Sequence, residues 1–252
     1  MDFEPLNDDH AIEEVSFVCN LNRRIPIQEL RRVATQLSHL VDDLPSLQMS
    51  DAPPMVQFAY LRPDGSATWS VQIGEGTVHV SCTRYSRWVK VWETASTYLA
   101  SVIKVLLNPE TTLMPAVTLV VVDKFLASSH EAGTKALLRP CDLIAPAALE
   151  ISGQWHSHVG WFDHAFADGQ ILNQLNVDRV REPQGQAERT AIVIKHVQQL
   201  QFATPKNIGS LLGTDGFWIA EPMKYMHDRN KAILMKLLLP EMQRRIELAG
   251  TK

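Results

Sequence analysis

Cysteine is scarce in this chain of 252 residues, with three widely spaced positions at Cys19, Cys82 and Cys141. An odd and sparse set argues against a disulfide framework and against a zinc site built from cysteine pairs. The chain begins with an acidic segment that lacks the basic and apolar regions of a secretory signal, and its longest apolar run is too short to span a bilayer. We therefore expect a protein of the reducing cytoplasm that has no membrane partner.

Recognisable catalytic motifs are also missing. The sequence has no Gly-rich phosphate loop, no Gly-x-Ser-x-Gly elbow and no His-Glu-x-x-His helix. Neither sign of charge is in large excess, because 24 Lys and Arg residues oppose 28 Asp and Glu residues. A net charge of −4 disfavours a nucleic-acid partner. A nucleotide-dependent or triad-based enzyme is disfavoured as well.

What the chain does contain is the composition of a globular protein, with 45% hydrophobic and 21% charged residues. Short β-rich segments at 55–61, 68–73 and 77–83 are separated by turn residues, and such tight spacing allows only antiparallel neighbours. Apolar residues at three- and four-residue spacing predict long helices over 27–44 and 87–107.

The second half of the chain repeats this order in a degenerate form. A strand at 117–125 is followed by an irregular segment, three further strands between 149 and 202, and a helix over 222–239. We therefore predict an α+β fold with mainly antiparallel sheet in two similar halves, and with long helices packed on one face. The predicted organisation is a polar leader at 1–12 and halves at 13–110 and 111–252, packed as one compact unit.

The most unusual segment is GQWHSHVGWFDH at 153–164. Alternate residues of a strand share a face, so His156 and His158 are expected to point the same way. Two imidazoles at this spacing can bind one divalent metal such as zinc, with His164 as a further ligand. The alternative is a solvated strand face without a cofactor, and we favour that interpretation.

A second candidate is the basic cluster Arg84, Arg87 and Lys90, at the start of the second helix. It could bind an anion beside the positive end of the helix dipole, although a solvated helix shoulder is the favoured interpretation. Asp123 and Lys124 interrupt an apolar strand. One of the two could be buried and paired, but we favour solvation of both at the strand end.

Three segments carry a resemblance to a known family: TWSVQIGEGTVHVSCTRYSRWVKVWETASTYL, VTLVVVDKF and YMHDRNKAILMKLLLPEMQRRIEL. In the order of its elements the chain resembles a sporadically distributed bacterial family of uncharacterised proteins of about this length. Relatives tend to carry an Arg-Tyr or similar polar pair at the end of the central strand, where this chain has Asp123-Lys124-Phe125. The patchy occurrence of that family implies mobile-element or defence-associated loci and favours a partner-binding role.

These observations lead to three hypotheses. The leading one is a non-enzymatic binding or accessory protein that engages a protein partner, in a bacterial defence or mobile-element system. The second is a metal-dependent enzyme that uses the His156 and His158 strand. The third is a protein that binds a small apolar ligand in a pocket enclosed by the sheet and its helices.

Overall fold

A computed structural model describes residues 2–106, 108, 110–129, 132–164, 169–184, 187–212 and 219–248. The strands are β1 (Phe3–Pro5), β2 (Ile12–Asn20), β3 (Ser46–Asp51), β4 (Pro54–Leu61), β5 (Ala67–Gly74), β6 (Thr77–Cys82), β7 (Leu113–Ala127), β8 (Trp155–Asp163), β9 (Gly169–Gln184) and β10 (Ala187–Asn207). The helices are α1 (Ile27–Gln36), α2 (Trp88–Val105), α3 (Ala220–Leu237) and α4 (Pro240–Arg245). Among these helices, none has the length and apolar character needed to cross a membrane.

All ten strands belong to one antiparallel sheet. Its order is β3-β4-β5-β6-β2-β7-β10-β9-β8, and β1 pairs with β7 beyond this path. The pairing of β2 with β7 joins the two parts of the chain, because each of these strands is also flanked by the last strand of a meander. Residues 2–12 contribute to the sheet as well, since they contain β1 and Phe3 is fully buried.

The α+β class with an antiparallel sheet is confirmed, but the predicted fold of similar halves with long helices packed on one face is wrong. Of the described residues, 44% lie in the strands of one ten-stranded sheet and only 29% are helical, in short helices. The apolar stripe over 27–44 is a ten-residue helix followed by a 3-10 turn at Ser38–Asp42. Residues 181–184 and 187–188 extend β9 and β10, in which Arg181 lies opposite Thr190.

The two faces of the sheet differ in composition. The inner face carries Phe17, Leu119 and Ile194, and the outer face carries Val18 and Lys195. Residues of the inner face pack with the helices in two hydrophobic clusters. The first cluster includes apolar residues of α1, α2 and the start of α3, and the second includes the end of α3 and α4.

A row of buried polar residues separates these two clusters, and we call it the polar seam. On β7, Val121 belongs to the first cluster and Phe125 to the second, and Asp123 lies between them. Helix α3 repeats this order, because Met226 and Ile233 belong to different clusters and Asn230 lies between them. The seam consists of Asp123, Asn173, His196, Gln198 and Asn230, each no more than 3% exposed.

Candidate functional site

The three predicted metal ligands lie at the edge of the sheet. His156 and His158 are exposed on the outer face of β8, where they lie opposite Asp178 and Asn176 of β9. His164 is also exposed and follows the end of that strand. Within the described ranges, no three His, Cys, Asp or Glu side chains lie close enough to hold a metal ion. The shared face of the histidine pair is as expected from the strand period, and the metal site stays a prediction.

The predicted anion-binding residues are divided between different surroundings. Arg84 is exposed and lines one cavity, whereas Arg87 lines a second cavity and pairs with Asp9 at 3.5 Å and Glu247 at 2.9 Å. Lys90 is exposed and lines neither cavity. The structure therefore does not bring the three cations together around one anion.

Two cavities adjoin at the start of α2. The larger, which we call the Arg62 cavity, has a volume of about 730 Å³ and is lined on one side by Arg62 and Arg84. The smaller, the Asp123 cavity, has a volume of about 210 Å³. Both are lined by His10 and Tyr85, whose rings meet edge to face with centroids 5.3 Å apart. This ring pair therefore belongs to the wall of both cavities.

The most unusual group in either cavity is the carboxyl of Asp123. It continues the inner-face row of β7 and is 2% exposed, yet it has no hydrogen bond or ion pair with any described residue. Burial raises its pKa from 3.8 to about 7. The neighbouring Lys124 points to the outer face, where its Nζ contacts Glu13 at 2.6 Å and Glu182 at 2.7 Å. The expected solvation of both side chains is therefore absent.

Aromatic rings form another wall of the Asp123 cavity. The imidazole of His227 stacks on the indole of Trp88, with centroids 4.1 Å apart and planes 6° apart. Trp88 in turn stacks on Trp92 at 6.2 Å. Burial lowers the pKa of His227 from 6.5 to about 4, so the imidazole is neutral at neutral pH. Helical spacing places Trp88 and Trp92 one turn apart on the same face of α2.

Burial also shifts the pKa values of the two other titratable rings of the cavity, Tyr85 and His10. Burial raises the pKa of Tyr85, and the nearby Asp123 raises it further, so the phenol keeps its proton. Burial lowers the pKa of His10. Nδ1 of this ring lies 3.3 Å from Nδ2 of Asn7. At neutral pH these two rings therefore contribute neutral donors and acceptors to the shared wall.

The polar seam continues beneath α3 at His196. Its Nδ1 lies 3.0 Å from Oδ1 of Asn230, and its Nε2 lies 3.2 Å from Oδ1 of Asn173. Burial lowers the pKa of His196 to about 4, although the hydrogen bond to Asn230 opposes the shift. Asn230 also lines the Asp123 cavity, so this buried network ends at the same space as the unpaired carboxyl.

The sequence did not indicate His196, Asn230 or Tyr85 as site residues, because each lies among other polar residues. The sequence does indicate the position of Asp123. Residues at even separations in a strand share a face, so Asp123 lies on the side of Val121 and Leu119 if the strand continues beyond it. Strand β7 continues to Ala127, which leaves Asp123 inside the sheet.

The resemblance to an uncharacterised bacterial family, predicted from residues 68–99, 117–125 and 225–248, stays a prediction. No protein-family model matches this chain, and the searches of curated proteins and of solved structures gave no match either.

Proposed function

We propose that this protein binds a small molecule in the Asp123 cavity and holds it through a hydrogen bond to the Asp123 carboxyl. The observation that carries the proposal is the unpaired, 2% exposed carboxyl on the wall of a cavity. Burying a carboxyl without a partner is costly, so such groups are concentrated at functional sites where a ligand supplies the missing contact.

The size and lining of the cavity support this function. A cavity of about 150 Å³ is large enough for benzene, and the Asp123 cavity has about 210 Å³. Its walls combine apolar side chains such as Leu234 and Ile246 with a few polar groups, which is the usual character of a small-molecule site. The sequence predicted a small apolar ligand. We propose instead a ligand with a single ring that also carries a polar group.

The location of the cavity supports the same function. It lies where the two hydrophobic clusters meet, with Ile12 and Trp88 from one side and Ala11 and Leu234 from the other. A site between two packed units is a common place for a ligand, because each unit can contribute one rigid wall. The ligand would then complete the packing between the clusters.

Ligand-observed NMR with a set of single-ring fragments tests this function. We expect fragments to bind the wild-type protein, and the Asp123→Leu variant to lose at least about tenfold in affinity because the leucine removes the carboxyl and fills the cavity. Asp42→Asn is the matched control, since Asp42 is exposed and distant in sequence from every cavity residue. Circular dichroism shows whether Asp123→Leu is folded, and Asp123→Asn provides a variant of unchanged volume. The proposal fails if no fragment binds, or if binding is equal in the wild type and in folded Asp123→Leu.

A protein partner, and a role in bacterial defence or in a mobile element, stay predictions from the sequence. A cytoplasmic location is supported by the three cysteines Cys19, Cys82 and Cys141, which are all free thiols. We include a cytoplasmic location in the proposal on that ground. Purification of the chain with its cysteines in reduced form from a cytoplasmic fraction would test it, and recovery from an oxidising compartment would contradict it.

A further inference from the structure

We propose that the ligand of the Asp123 cavity carries a protonated nitrogen, such as an ammonium or amidinium group, that donates to both Asp123 and Asn230. This inference rests on the proposed function and specifies the chemical class of the ligand. It follows from the hydrogen bonds of the polar seam, which determine whether the cavity presents donors or acceptors.

The first step is the orientation of the Asn173 amide. Its Nδ2 donates to the carbonyl oxygen of Ile171 at 3.2 Å. The reverse orientation would place the amide oxygen against that carbonyl, which is a contact between two acceptors. The amide oxygen of Asn173 therefore faces Nε2 of His196, and this ring nitrogen must carry a hydrogen to donate across the 3.2 Å separation.

The second step is the tautomer of His196. Its imidazole is neutral at neutral pH because burial lowers its pKa to about 4. A neutral imidazole has one N–H group, so the hydrogen at Nε2 leaves Nδ1 as an acceptor. The amide of Asn230, 3.0 Å away, satisfies this acceptor only with its NH₂ group. A half-turn of the amide exchanges its oxygen and nitrogen, which have nearly the same shape and electron density.

The third step concerns the other end of the Asn230 amide. With the NH₂ group donating to His196, the amide oxygen is left without a partner among the described residues. Asn230 lines the same cavity as Asp123, so the cavity presents an amide oxygen and a carboxylate beside the side chains of Tyr85, His227 and Lys231. Both accept hydrogen bonds, and two acceptors select a ligand with at least two donors.

The charges around the cavity support a cationic ligand. The groups from the N-terminal segment and the start of α2 are Asp9, His10, Tyr85 and Arg87. The groups from α3 and the C-terminal segment are His227, Lys231 and Glu247. Arg87 is paired with the two acids Asp9 and Glu247, and Lys231 is a second cation, so these four groups balance in charge. Asp123 adds a further acid, and among the described residues no cation forms an ion pair with its carboxyl.

Four ring compounds of similar size test the ligand class: benzylamine, benzyl alcohol, toluene and benzoate. At pH 8 we expect protonated benzylamine to bind about tenfold more tightly than benzyl alcohol, because a charge-assisted hydrogen bond is roughly twice as strong as a neutral one. Benzoate should bind most weakly, since it brings a second anion to the carboxylate. In Asp123→Asn the preference for benzylamine should fall below about threefold, because the amide retains the volume and loses the charge.

Two further measurements make the result specific. Affinity for benzylamine should rise about tenfold per pH unit up to pH 7 and then level off, as the Asp123 carboxyl loses its proton, and Asp123→Asn should show no such slope. Nitrogen-15 NMR of the imidazole should show the hydrogen of His196 at Nε2. A hydrogen at Nδ1 would reverse the Asn230 amide and overturn the inference.

The outcomes separate this inference from the function on which it rests. If benzyl alcohol or toluene binds as tightly as benzylamine, and Asp123→Leu abolishes that binding, the site stands and the ligand class is wrong. If none of the four compounds binds, both the site and the ligand class are wrong. Tighter binding of benzoate than of benzylamine would also reject the cationic ligand.

Discussion

Asp123 and His196 lie one diagonal step apart on the inner face of the sheet, on the neighbouring strands β7 and β10. In the register of this pair, Asp123 is opposite Ile194 and His196 is opposite Val121. Burial favours the neutral form of each, because it raises the pKa of the acid to about 7 and lowers that of the base to about 4. Both nitrogens of His196 have an amide partner, whereas the Asp123 carboxyl has none among the described residues. We attribute this difference to a ligand that completes the seam.

The first prediction is that Asp123→Asn stabilises the ligand-free protein, and that the gain depends on pH. The folded-state pKa of this acid lies above the unfolded value, so its contribution to stability is complete below pH 3.8 and is lost as the pH rises through about 7. At about 1.4 kcal/mol per pH unit, the gain should grow from near zero at pH 4 to roughly 4 kcal/mol above pH 7. Urea unfolding at several pH values measures it.

Asp42→Asn is the matched control for this prediction, because Asp42 is exposed. Its effect should stay within about 0.5 kcal/mol at every pH. A gain for Asp123→Asn that is the same at pH 4 and pH 8 would show that the carboxyl is not held neutral by burial. A loss of stability at pH 8 would show that the carboxylate has a partner in the protein.

A good part of this fold could be predicted from local patterns. Gly74-Glu75-Gly76 indicates the β5–β6 hairpin, and Glu75 and Gly76 both adopt the positive φ that such a two-residue turn requires. Alternation also places His156 and His158 on one face of β8. These features depend on residues that are close in the chain, where turn chemistry and the strand period decide the structure.

The features that could not be predicted are those that depend on distant residues. The pairing of β2 with β7 makes one sheet. The sequence does not predict this pairing, because the apolar side chains of either strand would be buried equally well at the edge of a separate sheet. The partners of His196 come from β9 and α3, at Asn173 and Asn230, and no spacing links these three positions. The polar seam is therefore a property of the tertiary structure.

The second prediction is that His196→Leu destabilises the protein. The substitution leaves the buried amides of Asn173 and Asn230 without their ring partner, and each unsatisfied buried group costs about 1–3 kcal/mol. We expect a loss of roughly 2–4 kcal/mol at pH 8, measured by urea unfolding. His39→Leu, at an exposed histidine, should change the free energy of unfolding by less than about 0.5 kcal/mol. Equal effects of the two variants would contradict the role of the network.

The third prediction is that the contribution of His196 to stability falls in mild acid, with a sign opposite to that of the Asp123 contribution over the same pH range. The folded-state pKa of His196, about 4, lies below its unfolded value of 6.5, so the unfolded chain binds the additional proton between these values. The contribution of His196 should therefore fall by roughly 3 kcal/mol as the pH decreases from 6.5 to 4. The difference in the free energy of unfolding between the wild type and His196→Leu measures this fall, and a difference that does not change with pH would assign the acid sensitivity to other groups.

The fourth prediction concerns the pair formed by Arg23 and Glu29. The guanidinium donates two parallel hydrogen bonds of 2.8 Å to the carboxylate, and the Glu29 side chain is 4% exposed. Removing one partner of a buried pair costs about 3–5 kcal/mol, and the 28% exposure of the Arg23 side chain reduces this figure. We expect Glu29→Ala to cost roughly 2–3 kcal/mol in urea unfolding.

Asp51→Ala is the matched control, because the Asp51 pair with Arg31 has side chains 72% and 62% exposed. Exposed pairs contribute little, so this substitution should cost less than about 1 kcal/mol. Raising the salt concentration should reduce the small effect of Asp51→Ala further and leave that of Glu29→Ala nearly unchanged. A Glu29→Ala cost as small as that of its control would contradict the buried character of the pair.

The last prediction distinguishes the cavity from the histidine strand as the place of function. His156 and His158 are exposed on the outer face, whereas Asp123 belongs to the inner face, so the sheet separates the two places. The double variant His156→Ala and His158→Ala should therefore leave fragment binding and the free energy of unfolding unchanged, within about twofold and 0.5 kcal/mol. Any stabilisation of the wild type by added zinc should be absent from this variant, because it lacks both imidazoles. Loss of fragment binding in the double variant would place the ligand on β8, and it would separate the function from the buried carboxyl.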